Sequence, residues 1–534
     1  MSDNHPAKHT STQDSELALP DFVQESENIS GADFETLKAL VFKEPPFDLT
    51  ELGNAKRLVC ILQSHAIWVE ALNYFVIFKE PRWVKDTTGS VTRAWDLLLI
   101  NIKQEKQFYE AVRAELEGFA SKYNIDVMIK ILTNRIANLH GHYLSSQTKN
   151  TIFASRELFK ARSGISKPLE SFDSKGQYIG CPNGVVDLRD GQLTPSNKSY
   201  LMMKTTNVDY VPDAECLQWQ KFLDIITESN QEMIAFLQLL AGLMLIGEDV
   251  KDKLFILLGD GANGKSVYLD TLTDLLGDYA EQSSPDVLTD KRATKEYYLA
   301  TLQGKRVVSM VETERGDKLE GAIVKKLVDS GRISARFAYG RPFSYQPVFT
   351  PILCTNYLPF ISMDPATWRR LVIIPFNYTI PVEERDPSFR TKLVNEEGEG
   401  IFNWMVEGAI KYYQQGNLTI PESLTKVLNK HMKEFDNLAE FIVECSDNPL
   451  EDRAPSDMKC RITELRKVYE IWCKDNGYYP LNTRNFRREL EKKGYQIKKG
   501  PHGYIFVYGI AVTTIDNQPT MSVSGDILDK ELNQ

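Results

Sequence analysis

The sequence predicts an α/β protein: a parallel-sheet core, preceded by a mainly helical region and followed by a small basic unit. Three observations carry that prediction. Strand-like and helix-like runs alternate between residues 252 and 377, as they do where helices cover both faces of a parallel sheet. Residues 37–165 hold mostly helical patterning, with Trp68, Trp83 and Trp95 as expected core. Residues 461–509 carry eleven Lys or Arg against five Asp or Glu, a net of +6.

The chain has 534 residues, 42% hydrophobic and 25% charged, which excludes a disordered or fibrous class and implies several domains. The net charge of −10 sits in the ends. Residues 1–36 contribute −7 and residues 511–534 contribute −3, so the body is neutral and binding to nucleic acid stays open. Both ends read as acidic disordered tails. With no apolar run of about 18 residues and no apolar leader, the chain is expected to be soluble, cytoplasmic and without a membrane partner. Seven scattered cysteines without a C-x-x-C pair fit a reducing compartment and no zinc site; His140-x-His142 has no second ligand pair beside it.

Between the ends, the expected units are an N-terminal α+β domain over 37–215, a core with its preceding helices over 216–390, a helical extension over 391–440 and a last compact unit over 441–510. Within the first, Tyr178–Leu193 reads as a hairpin turning at Asp190-Gly191. Residues 217–248 read as an amphipathic helix pair.

The chemistry centres on one loop. The apolar run Lys253–Leu258 leads into Gly259-Asp260-Gly261-Ala262-Asn263-Gly264-Lys265-Ser266, and helix-spaced Val267, Leu269, Leu272, Leu275 and Leu276 follow, with Gly277 as the stop. Strand, glycine loop and helix in that order form a phosphate cradle, because backbone N–H groups and a helix N-terminus converge on anionic oxygen. Lys265 is placed to reach the β- and γ-phosphates of a nucleotide, and the Ser266 hydroxyl to ligate Mg2+. Such a site needs carboxylate at the end of a second strand. Arg306–Val311 is that strand, and Glu312-Thr313-Glu314 follows it. One glutamate would serve the metal, with Ser266 and Glu312 the candidate contacts, and the other would position or activate water. The sequence leaves their roles interchangeable. A third strand, Phe349–Thr355, ends at Asn356, whose amide could touch the γ-phosphate or the attacking water.

In this company the sequence resembles the superfamily 3 helicases, in the helicase part of the phage, plasmid and poxvirus primase–helicase family. The matching residues are G-D-G-A-N-G-K-S (259–266), G-K-R-V-V-S-M-V-E-T-E (304–314), K-K-L (325–327), I-S-A-R (333–336), C-T-N (354–356) and W-R-R-L-V-I-I-P-F (368–376). N-G-V-V-D-L (183–188), G-N-A-K-R-L (53–58) and R-W-V-K-D (82–86) resemble the domain preceding the ATPase. The resemblance implies an AAA+-like P-loop core, ATP and Mg2+ as cofactors, Glu312 and Glu314 as Walker B carboxylates and Asn356 as sensor 1. It makes Arg370, with Arg369 as the fallback, a finger reaching the ATP of the next subunit. It further implies a homo-oligomer, most often a hexamer, acting on single- and double-stranded DNA beside a separate primase or loader. Val328-Asp329-Ser330-Gly331 departs from the T-G-G-D of many relatives. No polymerase-type carboxylate cluster precedes residue 250, so primase activity is not expected.

Two DNA contacts are expected. The turn Tyr339-Gly340-Arg341-Pro342 between two strands would project into a ring channel, a cation and an aromatic suiting backbone contact and stacking. In the basic unit, Leu465–Trp472 and Asn485–Lys493 followed by two short strands read as a winged helix, with Arg484, Arg487, Arg488 and Lys492 facing DNA. The functional reading is an ATP-driven ring helicase replicating a phage, plasmid or integrated element. The alternatives are an origin-binding initiator, or a motor for packaging or phage defence.

Overall fold

The computed structural model describes residues 20–62, 64–248, 252–289, 295–312, 317–329, 331–336, 342–361, 364–445, 459–476, 478 and 480–510. At its centre lies a five-stranded, wholly parallel sheet. Its spatial order is Leu371–Pro375, Leu254–Leu258, Thr350–Thr355, Val307–Val311, Ala280–Ser283. Every residue of Thr350–Thr355 is buried, as expected for an interior strand covered on both faces, which explains the unbroken apolar runs in the sequence. The strand bearing the glycine loop and the strand bearing Glu312 therefore flank the strand that ends at Asn356.

Helix Lys265–Leu276 covers one face through Tyr268, Leu269, Leu272 and Leu275, and stops at Gly277, whose φ is +52°. The expected helix pair is present as Leu217–Ile226 and Gln231–Leu243. The long helix Phe389–Gln415 lies against the second of these at a backbone-to-backbone crossing. A Cβ added to Gly242 would sit 2.2 Å from Gly408, and one on Gly408 would sit 2.1 Å from the Gln238 carbonyl oxygen. The same long helix caps Leu217–Ile226. Glu397 accepts hydrogen bonds from the backbone N–H groups of Gln218 and Trp219 at 2.8 and 2.9 Å, a carboxylate where the helix dipole favours one.

The N-terminal region is helical but not wholly so. Ala66–Val69, Tyr74–Lys79 and Arg82–Lys85 form an antiparallel sheet among its helices, and Trp68, Trp83 and Trp95 are all buried. Among the helices, fully buried Arg57 bonds Asn101 and Glu105. His142 is also buried, 2.9 Å from the Asn54 amide oxygen, and burial holds its pKa below the usual histidine value. The hairpin expected over Tyr178–Leu193 is a three-stranded meander, Tyr178–Cys181, Gly184–Asp187 and Gln192–Thr194, and Asp190-Gly191 joins its last two strands.

Two expected boundaries move. The acidic segment is not tail up to residue 36: helix Phe22–Glu27 is capped by Asp21, and Phe22 and Ile29 are buried in the N-terminal core. Charge counting hid those two apolar anchors. Likewise the C-terminal unit begins before 441, because Leu438, Phe441 and Ile442 of helix Asn437–Cys445 belong to its core. Residues 511–534 lie outside the described residues.

One buried cation joins the N-terminal meander to the central sheet. Arg306, 1% exposed at the foot of the Glu312 strand, donates to the carbonyl oxygens of Gly176, Tyr178 and Leu245 and stacks 4.7 Å from the Tyr279 ring.

Candidate nucleotide site

The loop 259–264 is shaped by three special backbone positions and one close approach. Gly261 (φ +107°), Ala262 (+50°) and Gly264 (+84°) have positive φ, the kind of backbone from which anion nests are built. Gly259 has no room for a side chain, since a Cβ would lie 2.4 Å from the Phe376 carbonyl oxygen. The loop is tied to the segment after the last strand: the Asn263 amide donates to the Phe376 carbonyl at 3.0 Å and the Ile380 N–H to the Ala262 carbonyl at 2.8 Å.

Lys265 opens the helix with its ammonium turned inward, 4% exposed. It donates to the Gly259 carbonyl (2.6 Å), the Asn263 side-chain oxygen (2.8 Å) and the Asn356 side-chain oxygen (3.2 Å). Burial lowers its pKa, against the attraction of neighbouring Cys354, Asp260 and Glu312. Burial also pushes the Cys354 thiol up to about 11, with Lys265 opposing. Glu312 follows its strand with φ +58°, and its N–H is held 2.9 Å from the Cys354 carbonyl oxygen. A glutamate in that region costs of order 1–2 kcal/mol, and such strain is typically kept at functional positions.

Lys265, Ser266, Glu312 and Asn356 all line one cleft of about 680 Å³ at the carboxyl ends of the strands, where open parallel sheets bind ligands. The far wall was not foreseen. Phe222 and Ile225 come from the preceding helix, and Ile380, Arg385 and Phe389 from beyond the last strand. The helical periodicity of 217–226 signalled burial, but not that one edge would face a ligand.

The remaining predicted residues fall elsewhere. Arg369 is exposed and Arg370 is 8% exposed, and neither lines this cleft. Arg370 is paired with Asp329 at 2.7 Å and donates to the Ala366 carbonyl at 2.6 Å. Asp329 stands within the segment that departs from the T-G-G-D pattern. Glu314, Tyr339 and Arg341 lie outside the described residues, although the flanking strands Ile333–Ala335 and Phe343–Tyr345 pair antiparallel. Arg484, Arg487, Arg488 and Lys492 are exposed on or beside helix Thr483–Lys492. Three of them are engaged along that helix: Arg487 with Glu491 at 3.0 Å, Arg488 with Glu489 at 3.6 Å and Lys492 with Glu489 at 2.7 Å.

Fold and site together define an α/β protein with a parallel sheet behind a helical N-terminal region, its glycine loop, lysine and amide meeting at the sheet's carboxyl edge. A family model described as D5 N terminal like matches residues 55–228, and a family of unknown function, DUF5906, matches residues 257–370. These matches, with the viral relatives that follow, make the chain similar to the phage and viral primase–helicase family. A provisionally named helicase of Acanthamoeba polyphaga mimivirus is 28% identical over 332 residues, 59% of this chain and 32% of that protein. A provisionally named primase of African swine fever virus is 28% identical over 236 residues, 42% of this chain and 24% of that protein. The match thus spans about a third or less of these curated relatives. The apo structure of the NrS-1 C-terminal region superposes with a TM-score of 0.44 at 12% identity, covering 86% of this chain and 99% of that one. Among the described residues, no helix is long and apolar enough to cross a membrane.

Proposed function

We propose that this chain hydrolyses ATP with Mg2+ to drive a ring-shaped DNA helicase in the replication of a phage, plasmid or integrated element. One observation carries the reading. The Lys265 ammonium is shared between the loop carbonyl of Gly259 and the amide of Asn356, in the cleft that Glu312 also lines. Loop, carboxylate and amide come from three strands, and they converge where a triphosphate on the nest would end.

In that reading Lys265 exchanges its present acceptors for β- and γ-phosphate oxygens. Its lowered pKa reflects a charge desolvated ahead of the ligand, an arrangement that favours an anionic partner. Asn356, released from the lysine, orients the attacking water, and Glu312 or Glu314 accepts its proton. Ser266 and Glu312 supply hard oxygen ligands. Among the described residues no group of three acidic, His or Cys side chains is placed to hold a metal. That donor set fits Mg2+, which binds through one or two protein oxygens plus substrate phosphates and stabilises charge on the transferred group.

The resemblance makes Arg370, or Arg369, a finger across the subunit interface of a homo-oligomeric, hexameric ring; Arg369 is exposed, whereas Arg370 would have to leave Asp329 to serve. The basic C-terminal unit, a winged helix in this reading, and the expected Tyr339–Pro342 turn would hold duplex and single-stranded DNA, and a separate primase or loader would act beside the ring. The test is strand displacement on forked DNA with ATP, comparing the intact chain with Lys265→Ala. ATP hydrolysis by the intact chain without displacement would overturn the helicase reading in favour of an initiator or another motor. Full hydrolysis by Lys265→Ala would overturn the nucleotide site.

A further inference from the structure

The C-terminal unit carries a surface that the helix-centred reading does not use. Its sheet has three strands, not two: Lys459–Arg461 and Gln496–Lys499 flank the central strand Ile505–Tyr508, both antiparallel to it. Cross-strand partners share a face. Lys459 stands opposite Tyr508, Arg461 and Lys498 opposite Phe506, and Gln496 opposite Tyr508. The intervening residues Cys460, Ile497 and Val507 pack into the core. The outer face therefore presents Phe506 and Tyr508, with Tyr504 two positions before Phe506 in extended backbone and 47% exposed.

Each ring has a cation over it. Arg461 lies 4.0 Å from the Tyr504 ring centre, Lys459 5.3 Å from Phe506 and Lys498 5.6 Å from Tyr508. The three strands contain no acidic residue; Glu464, in the helix after the first of them, lies 3.6 Å from Arg461. Gly500 leaves room for the middle ring, since a Cβ there would sit 2.7 Å from the Phe506 ring.

We propose that this face is a stacking platform for extended single-stranded nucleic acid, distinct from the exposed cations of helix Thr483–Lys492. Rings at every second residue of a strand are about 6.8 Å apart. That is twice the ~3.4 Å step of bases stacked in a duplex, so one base per ring requires an unstacked strand. Aromatic faces accept any base, and the flexible Lys and Arg side chains now over them would give way to bases and meet the phosphates, a combination that gives sequence-tolerant single-strand binding. The proposal goes beyond the nucleotide site and stands without it.

The test measures fluorescence anisotropy of labelled oligo-dT and oligo-rU with the full chain across a salt series, without nucleotide. Tyr504→Ala and Tyr508→Ala should each weaken binding roughly 5- to 150-fold, the worth of one stacked base, and leave the slope of log affinity against log salt unchanged. Lys498→Ala should instead reduce that slope by about 0.7, one single-strand phosphate contact. Tyr504→Phe should bind like the parent, because the ring is kept. Circular dichroism melting of each variant accompanies the titrations, and bromodeoxyuridine crosslinking locates the contact. Crosslinks within 496–508 that fade in Tyr504→Ala support the platform. Unchanged affinity in the Tyr504→Ala, Tyr508→Ala double variant with an unaltered melt overturns it. So does an equal loss on blunt duplex, or crosslinking confined to other parts of the chain, as a protein-docking face would give.

Discussion

Replacing Asn356 by aspartate is isosteric and reverses the electrostatics of the cleft at one atom. The Asn356 side-chain oxygen lies 3.2 Å from the Lys265 ammonium. With an effective dielectric of about 20, a full negative charge at that distance attracts the ammonium by about 5 kcal/mol before solvent screening. Asn356→Asp should thus hold Lys265 in its ligand-free position, restore its pKa toward the usual lysine value, and set a carboxylate against the γ-phosphate. Asn356→Ala removes only an acceptor to a charged donor, worth about 1.5–3 kcal/mol, or roughly a 10- to 150-fold effect. The aspartate should be worse, lowering turnover by about 10³-fold or more and weakening nucleotide binding, although its folded state is no less stable. Steady-state phosphate release and titration with a fluorescent nucleotide measure both quantities. Because Lys265 would hold the new carboxyl below the ordinary range of about 4, shifting the pH around neutrality should not rescue it. Turnover by Asn356→Asp equal to or above that of Asn356→Ala would refute the reasoning, since residue 356 could not then face a phosphate.

Other expectations follow from the same geometry. Lys265→Ala should abolish hydrolysis, and Glu312→Gln should retain bound nucleotide while losing several orders of magnitude in turnover, read by single-turnover kinetics. A mixture of Lys265→Ala with Arg370→Ala should recover part of the hydrolysis each lacks alone. Arg369→Ala in the same mixture identifies which arginine crosses, and no recovery with either would remove the shared interface. Arg370→Ala should also melt lower than Arg369→Ala, because only Arg370 is paired with Asp329. Arg306→Met should cost about 3–5 kcal/mol by leaving buried carbonyls without a donor, read as a fall in the urea midpoint; a change below about 1 kcal/mol would rule out the cation as a link between meander and sheet. Changing Tyr339 and Arg341 together to alanine should spare hydrolysis and remove strand displacement.

The parts legible in the sequence were those whose chemistry is local. A glycine loop between a buried strand and a helix requires its residue types within eight positions, and Glu312 and Asn356 each follow directly on an apolar run. The opposite cleft wall was illegible because Phe222 and Phe389 lie 167 positions apart in the sequence, yet their rings pack 5.7 Å apart where Glu397 of one helix caps the other. Lys459–Arg461 is too short for its alternation to register, so the third strand of the C-terminal sheet, and with it the cation-covered face, could not be read. The Ala66–Lys85 sheet was absorbed into its helical surroundings. The Arg370–Asp329 pair was hidden for a different reason. It forms at the place where the sequence leaves its family's pattern, so the motif gave no partner for that arginine.

The contact of Gly242 with Gly408 works as an index mark. No side-chain atom separates the two backbones, and a slip of one residue along either helix would bring the methyl of Ala241 or Ala409 into a gap that holds only hydrogen. The alignment of the two helices is therefore discrete, without intermediate settings. One helix follows Phe222 and Ile225 in the chain and the other begins at Phe389, so this distant notch bears on how those residues assemble into the one wall that faces the glycine loop. The wall that would face a bound ligand is aligned in part by a pair of absent side chains, not only by the groups that would touch it.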